Sequence, residues 1–167
     1  MSATVQINEY NTSSETKTAN ITNSNMGSTD AANLDPVANP ITPGNNSYEK
    51  WQKLEVTDMG GSSQIDTIKA WRDGALGGSA IHLTNARESS YGGAETFATP
   101  TDSTSTVATE TMPTTSPTGA NLGIGGSLSG SLTAAGETDY LVHQIQSDAA
   151  DTEGSTSTLK FSYREVA

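Results

Sequence analysis

The chain has 167 residues, 8 Lys and Arg against 19 Asp and Glu for a formal charge of −11, and no cysteine. The missing thiols exclude a disulfide scaffold, a thiolate zinc site and a cysteine nucleophile, and the acidic excess argues against nucleic acid as a partner. No run approaches the roughly 18 apolar residues of a membrane span, and the start MSATVQINEY lacks the basic and apolar regions of a secretory signal, so no membrane partner is expected. Length fits one domain. Only 32% of residues are hydrophobic while 46 are Ser or Thr, which leaves disorder or a thin all-β domain with threonine on its wet faces. A charged fraction of 16% is low for a disordered chain, and alternation along the sequence favours strands.

Residues 1–46 are expected to form an extended N-terminal arm. From residue 10 onward the segment is rich in Asn, Thr and Ser. Pro36, Pro40 and Pro43 favour extended backbone and forbid regular ladders. Its large anchors, Ile21, Met26, Leu34, Val37 and Ile41, are the residues expected to touch a neighbouring subunit. The run Tyr48–Val56 is predicted to be a strand, although Tyr48, Trp51 and Leu54 would also suit a helical turn; the Gly60-Gly61 break follows it. Ile65–Trp71 is a second strand, with Ile65, Thr67 and Trp71 in phase and Gly74 ending it. Ala80–Thr84 is a third, shorter one.

Residues 99–119 are low-complexity Thr/Ser/Pro, punctuated by Pro100, Pro113 and Pro117, and are expected to form a second contact segment through Val107 and Met112. Residues 121–131 are laced with glycine, and residues 134–138 form a turn. The run 140–146 reads as a strand with Leu141, His143 and Ile145 on one face. In the last strand Leu159, Phe161 and Tyr163 alternate with Lys160, Ser162 and Arg164. An acidic loop, 147–154, would join these two strands as an antiparallel hairpin. The whole is predicted to be a single all-β domain, an antiparallel β-sandwich of jelly-roll or immunoglobulin-like type. Its core would be 47–98 and 120–166, with 1–46 and 99–119 as arms.

The run Ile41-Thr42-Pro43-Gly44-Asn45-Asn46-Ser47-Tyr48-Glu49-Lys50-Trp51, then Met59-Gly60-Gly61, Ile65 and Trp71, resembles small structural proteins of tailed bacteriophages. Asp139–Gln146 and Phe161-Ser162-Tyr163-Arg164-Glu165 resemble the closing strands of the same group, so the likeness runs from about Asn20 to Glu165. It implies a virion component with a β-sandwich, incorporated in many copies, without fixing head, neck or tail; the function expected is non-enzymatic, that of a head decoration, cement or neck-associated protein. Its partners would be a major capsid, neck or tail protein and further copies of itself. A cysteine-free chain suits assembly in a reducing cytoplasm.

Candidate chemistry is sparse, and no cofactor or metal is expected. His82 and His143 lack HxH or HExxH spacing and are expected to be structural. Asp148, Asp151 and Glu153 lack the ordered oxygens of a calcium loop. Glu49, Glu55, Asp58 and Asp66 lie near Trp51 and Trp71 in the sequence, which raises carbohydrate recognition by a tail or fibre module, with the tryptophans as platforms, as the alternative function. Nothing in their spacing selects a hydrolytic pair. Gly123-Ile124-Gly125-Gly126-Ser127 is neither a phosphate loop nor a nucleophile elbow. Lys50, Lys53, Lys69 and Arg72 would make a basic patch or simply the wet faces of two strands. The sequons at Asn11, Asn20 and Asn45 are chance matches in an Asn/Thr-rich chain.

Overall fold

The computed structural model describes residues 1–151 and 156–167. Among these the protein is all-β, with antiparallel pairing throughout. Its strands are β1 (Thr4–Asn11), β2 (Thr16–Thr18), β3 (Lys50–Asp58), β4 (Gln64–Asp73), β5 (Ile81–Thr84), β6 (Glu110–Thr111), β7 (Ser131–Leu132), β8 (Gly136–Glu137), β9 (Leu141–Gln146) and β10 (Thr158–Val166). A seven-stranded sheet runs β2-β1-β3-β9-β5-β6, with β8 added beside β3; a three-stranded sheet runs β10-β4-β7.

Leu54 and Val56 of β3 and Leu141 of β9 meet Ile65, Ile68 and Ala70 of β4 in one core between the sheets. A second cluster, Tyr10, Trp51, Tyr140 and Val142, lies on the opposite face of the larger sheet with Phe97 and Leu83 against it. The chain changes sheet between β3 and β4. There Gly60 adopts φ 59°, and a Cβ on it would stand 2.4 Å from the Met1 carbonyl oxygen, so only glycine fits.

Four expectations are corrected. First, β9 and β10 are not a hairpin: β9 pairs with β3 and β5, whereas β10 pairs with β4 across the other sheet. Second, residues 4–11 belong to no arm. β1 is an interior strand with seven β3 partners from Val56 to Trp51 and Asp58, because Val5 and Ile7 have an apolar face to bury. Third, the phase of β4 breaks. Two residues, Thr67 and Ile68, oppose Tyr163 alone, Thr67 takes φ 53°, and the buried residues become Ile65, Asp66, Ile68, Ala70 and Arg72. Fourth, the Thr/Pro-rich segment is tied to its own chain. Met112 N–H donates to the His82 carbonyl at 2.8 Å and Arg72 N–H to the Pro113 carbonyl at 2.8 Å. The Asn121 amide then imitates a strand, exchanging two 2.8 Å hydrogen bonds with the backbone of Ala70.

These bonds close the β4/β5 side of the molecule. The opposite side stays open. Thr158, Lys160 and Ser162 turn their backbone toward β4, which leaves the amides of Leu159, Phe161 and Tyr163 facing outward, with no acceptor among the described residues. The side chains of these three residues pack on the core as expected, yet remain half-buried.

Candidate functional site

Period two places Val5, Ile7, Glu9 and Asn11 of β1 on the same side of the larger sheet as Lys50, Gln52, Leu54 and Val56 of β3. The apolar half of this face meets the smaller sheet. The polar half is buried too, because residues 22–34 lie over it: Ser24, Asp30 and Ala31 all hydrogen-bond to it. Leu34, 5% exposed, sits in this cover.

The result is a directional chain of hydrogen bonds. Lys50 Nζ donates to Glu9 Oε1 at 2.7 Å and to the Ala31 carbonyl at 2.6 Å. Gln52 Nε2 donates to Glu9 Oε2 at 3.1 Å and to Ser24 Oγ at 2.9 Å. Since a carboxylate only accepts, Gln52 must present its carbonyl oxygen to His143 Nε2, 3.1 Å away. His143 therefore carries its proton on Nε2, and its bare Nδ1 accepts from His82 Nε2 at 2.9 Å. His82 Nδ1, the end of the chain, is buried with no partner among the described residues. Burial, with the Arg72 cation nearby, holds His82 down to about 3. His143 is held well below the usual histidine value by burial and by the charges of His82 and Lys50. Both rings hydrogen-bond within this buried chain; that they meet was not foreseen. Among the described residues no group of three His, Cys, Asp or Glu side chains is placed to hold a metal ion.

The opposite face carries a second cluster. Glu55 and Glu137 stand directly across from each other on β3 and β8, and Lys17 Nζ bridges them at 3.1 and 2.8 Å. Asn8, Lys17 and Gln6 hydrogen bonds hold Glu55 below the ordinary carboxylate range against the effect of burial. Burial pushes Glu137 up, but hydrogen bonds from Lys17 and Tyr10 win and lower it. Both groups are thus neutralised anions, and neither is poised as a proton donor.

The other carboxylates of interest are dispersed. Glu49 accepts from Trp51 Nε1 at 2.9 Å, Asp58 is exposed, and Asp66 is gripped by Arg164 at 2.7 and 2.6 Å, which lowers it to about 2. Of the two tryptophans, Trp51 is 1% exposed and cannot serve as a platform; it meets Tyr140 and Phe97 edge-on at 5.4 Å. Trp71 is half-buried on the smaller sheet. The basic residues make no patch: Lys50 and Arg72 are buried, Lys53 lies over the Tyr140 ring at 4.1 Å, and Lys69 binds the Pro117 and Thr118 carbonyls. In the acidic loop Asp151 Oδ2 accepts from Asp148 N–H at 2.6 Å; Glu153 falls outside the described residues.

The expected contact residues divide. Met112 is 1% exposed and, like Leu34, fills the chain's own interior. Ile21, Met26, Ile41 and Val107 are half-buried, and Val37 is 86% exposed. The buried array itself escaped the sequence reading because Glu9, Asn11, Lys50 and Gln52 look like surface residues. The signal available was that Glu9 and Asn11 continue the phase of Val5 and Ile7. No family model matches the chain, nor does any curated protein or solved structure.

Proposed function

We propose that this protein is a non-enzymatic structural component of a tailed-phage virion, a head decoration, cement or neck-associated protein. Its two sheets form a sandwich, present in many copies and held by an adjoining capsid, neck or tail protein. The motif-level resemblance from Asn20 to Glu165 suggests the setting. The observation that carries the reading is the open edge of β10, a nine-residue strand whose outward amides lack acceptors among the described residues and whose inner apolar side chains are only half covered. An edge of that length invites strand addition by an extended segment of an adjoining protein. Lys160 and Arg164 on its outer face, each paired with one carboxylate, would oppose each other or their equivalents if two copies joined edge to edge, which favours a different, acidic strand as the occupant.

Hydrogen exchange on the free protein and on purified particles tests this. The amides of Leu159, Phe161 and Tyr163 should exchange rapidly in the free chain and become strongly protected in the particle. Equal rates in both states, or failure to sediment with particles, would overturn it.

A further inference from the structure

We infer that Lys50 and Asn11 are the two ends of a self-forming amide cross-link between β3 and β1, with Glu9 as the residue that carries the proton. The ladder pairs Glu9 with Gln52 and Tyr10 with Trp51, so one further step sets Asn11 directly across from Lys50, on the same face as Glu9. Glu9 Oε1 accepts from Lys50 Nζ at 2.7 Å and from Asn11 Nδ2 at 3.0 Å, so a single oxygen holds both the attacking and the departing nitrogen. Its other oxygen is fixed by Gln52 at 3.1 Å. Asn11 Nδ2 also donates to Asp30 Oδ1 at 2.7 Å, and Asp30 is in turn held by the Thr12 amide at 2.7 Å. Lys50 is 1%, Glu9 0% and Asn11 6% exposed.

The nucleophile, the departing amide nitrogen and the proton carrier are therefore held together. Isolating two opposite charges from water is costly, and a proton moving from Lys50 Nζ to Glu9 along their short hydrogen bond removes both. The neutral amine is a nucleophile. Its lone pair attacks Asn11 Cγ, forming the Cγ–Nζ bond and placing the carbonyl electron pair on Oδ1. Glu9 gives its proton to Nδ2 and takes one from Nζ; the carbonyl reforms, the Cγ–Nδ2 bond breaks, and ammonia leaves. Glu9 ends protonated and no other reactant is consumed. Excluding water strengthens the electrostatics of the site, and holding both groups on adjacent strands replaces a bimolecular encounter with a rotation of one side chain. In a chain without cysteine, such a bond would staple an interior pair of strands.

Mass spectrometry of the purified full chain decides the matter. The expected protein is lighter than its sequence by one ammonia. Its tryptic digest should lack cleavage at Lys50 and contain a branched peptide joining residues 1–17 to residues 18–53. The full sequence mass with cleavage at Lys50 overturns the inference, and so does loss of a water in place of ammonia, which would put the bond on Glu9. Asn11→Ala should restore the full mass. Asn11→Asp, which keeps the shape of the side chain, should lose water instead. Glu9→Gln should leave the mass intact, with circular dichroism confirming a folded chain. A folded Glu9→Gln protein that still loses ammonia removes Glu9 from the mechanism, and an Asn11→Asp protein of full mass contradicts the assignment of residue 11.

Discussion

Thr67 holds a left-handed backbone, φ 53°, in the middle of the ten-residue strand β4. A β-branched side chain is strained there by about 1–2 kcal/mol, offset in part by the 2.8 Å hydrogen bond from its hydroxyl to Asp66. Thr67→Gly relieves that strain but gives up the hydroxyl bond and loosens the unfolded chain, so it should leave the urea midpoint nearly unchanged. Thr67→Ile, which keeps the strain and loses the bond, should lower it. The tryptophans make a paired comparison. Trp51→Ala removes a ring enclosed by Tyr10, Tyr140 and Phe97 and should cost about 3–5 kcal/mol in chemical denaturation. Trp71→Ala, on a half-buried face, should cost clearly less. Equal losses would mean that Trp71 is as enclosed as Trp51.

Individual elements differ in how openly their sequence declares them. β10 is legible because an edge strand half-covered on one face shows unbroken alternation, and Leu159, Phe161 and Tyr163 point inward as expected. In β9 the alternation is uninformative, since every residue from Leu141 to Ile145 is buried in the middle of the larger sheet. β4 misleads through its bulge, which no residue in Ile65–Trp71 announces, Thr67 least of all. Partnership is harder still. The pairing of β10 with β4 depends on how distant segments pack, and local pattern carries no trace of it. The His82–His143 contact belongs to the same class, being made by the register of β5 against β9.

That contact makes stability depend on pH. Both rings are favoured neutral in the fold, chiefly by burial and, for His82, by Arg72 nearby, so below their ordinary value of about 6.5 the unfolded chain binds more protons. Stability should then fall as the pH drops from about 6.5 toward the folded value near 3. Between about pH 6.5 and 5, where the salt-bridged carboxylates stay ionised, His82 alone should cost on the order of 2 kcal/mol. Urea titrations across that window, repeated on His82→Gln, should show the slope flatten in the variant. An unchanged slope would mean that the histidines are already solvated.

For the molecule as a whole, the decisive point is that β1 is interior. An extended arm could be removed without loss of the fold. Deleting residues 1–11 should instead abolish cooperative thermal unfolding and near-ultraviolet dichroism, because it strips β3 of its longest partner and opens the cover of the buried array. A truncated chain that still melts cooperatively would return those residues to the role of an arm. Cement-like behaviour would then rest on the open β10 side and on projecting residues such as Val37.

Lys160 lies opposite Trp71, and the ladder they share is among the two longest in the protein. While the ribosome is still adding the residues between them, β4 has only the short β7 and a loop as ladder partners. Its other edge, along Lys69, Trp71 and Asp73, must wait unpaired for β10 to emerge. Folding so dependent on distant pairings is slow, and crowded nascent chains with bare strand edges capture one another. Yield in a heterologous host should thus depend on how quickly translation finishes and on chaperones that shield that interval.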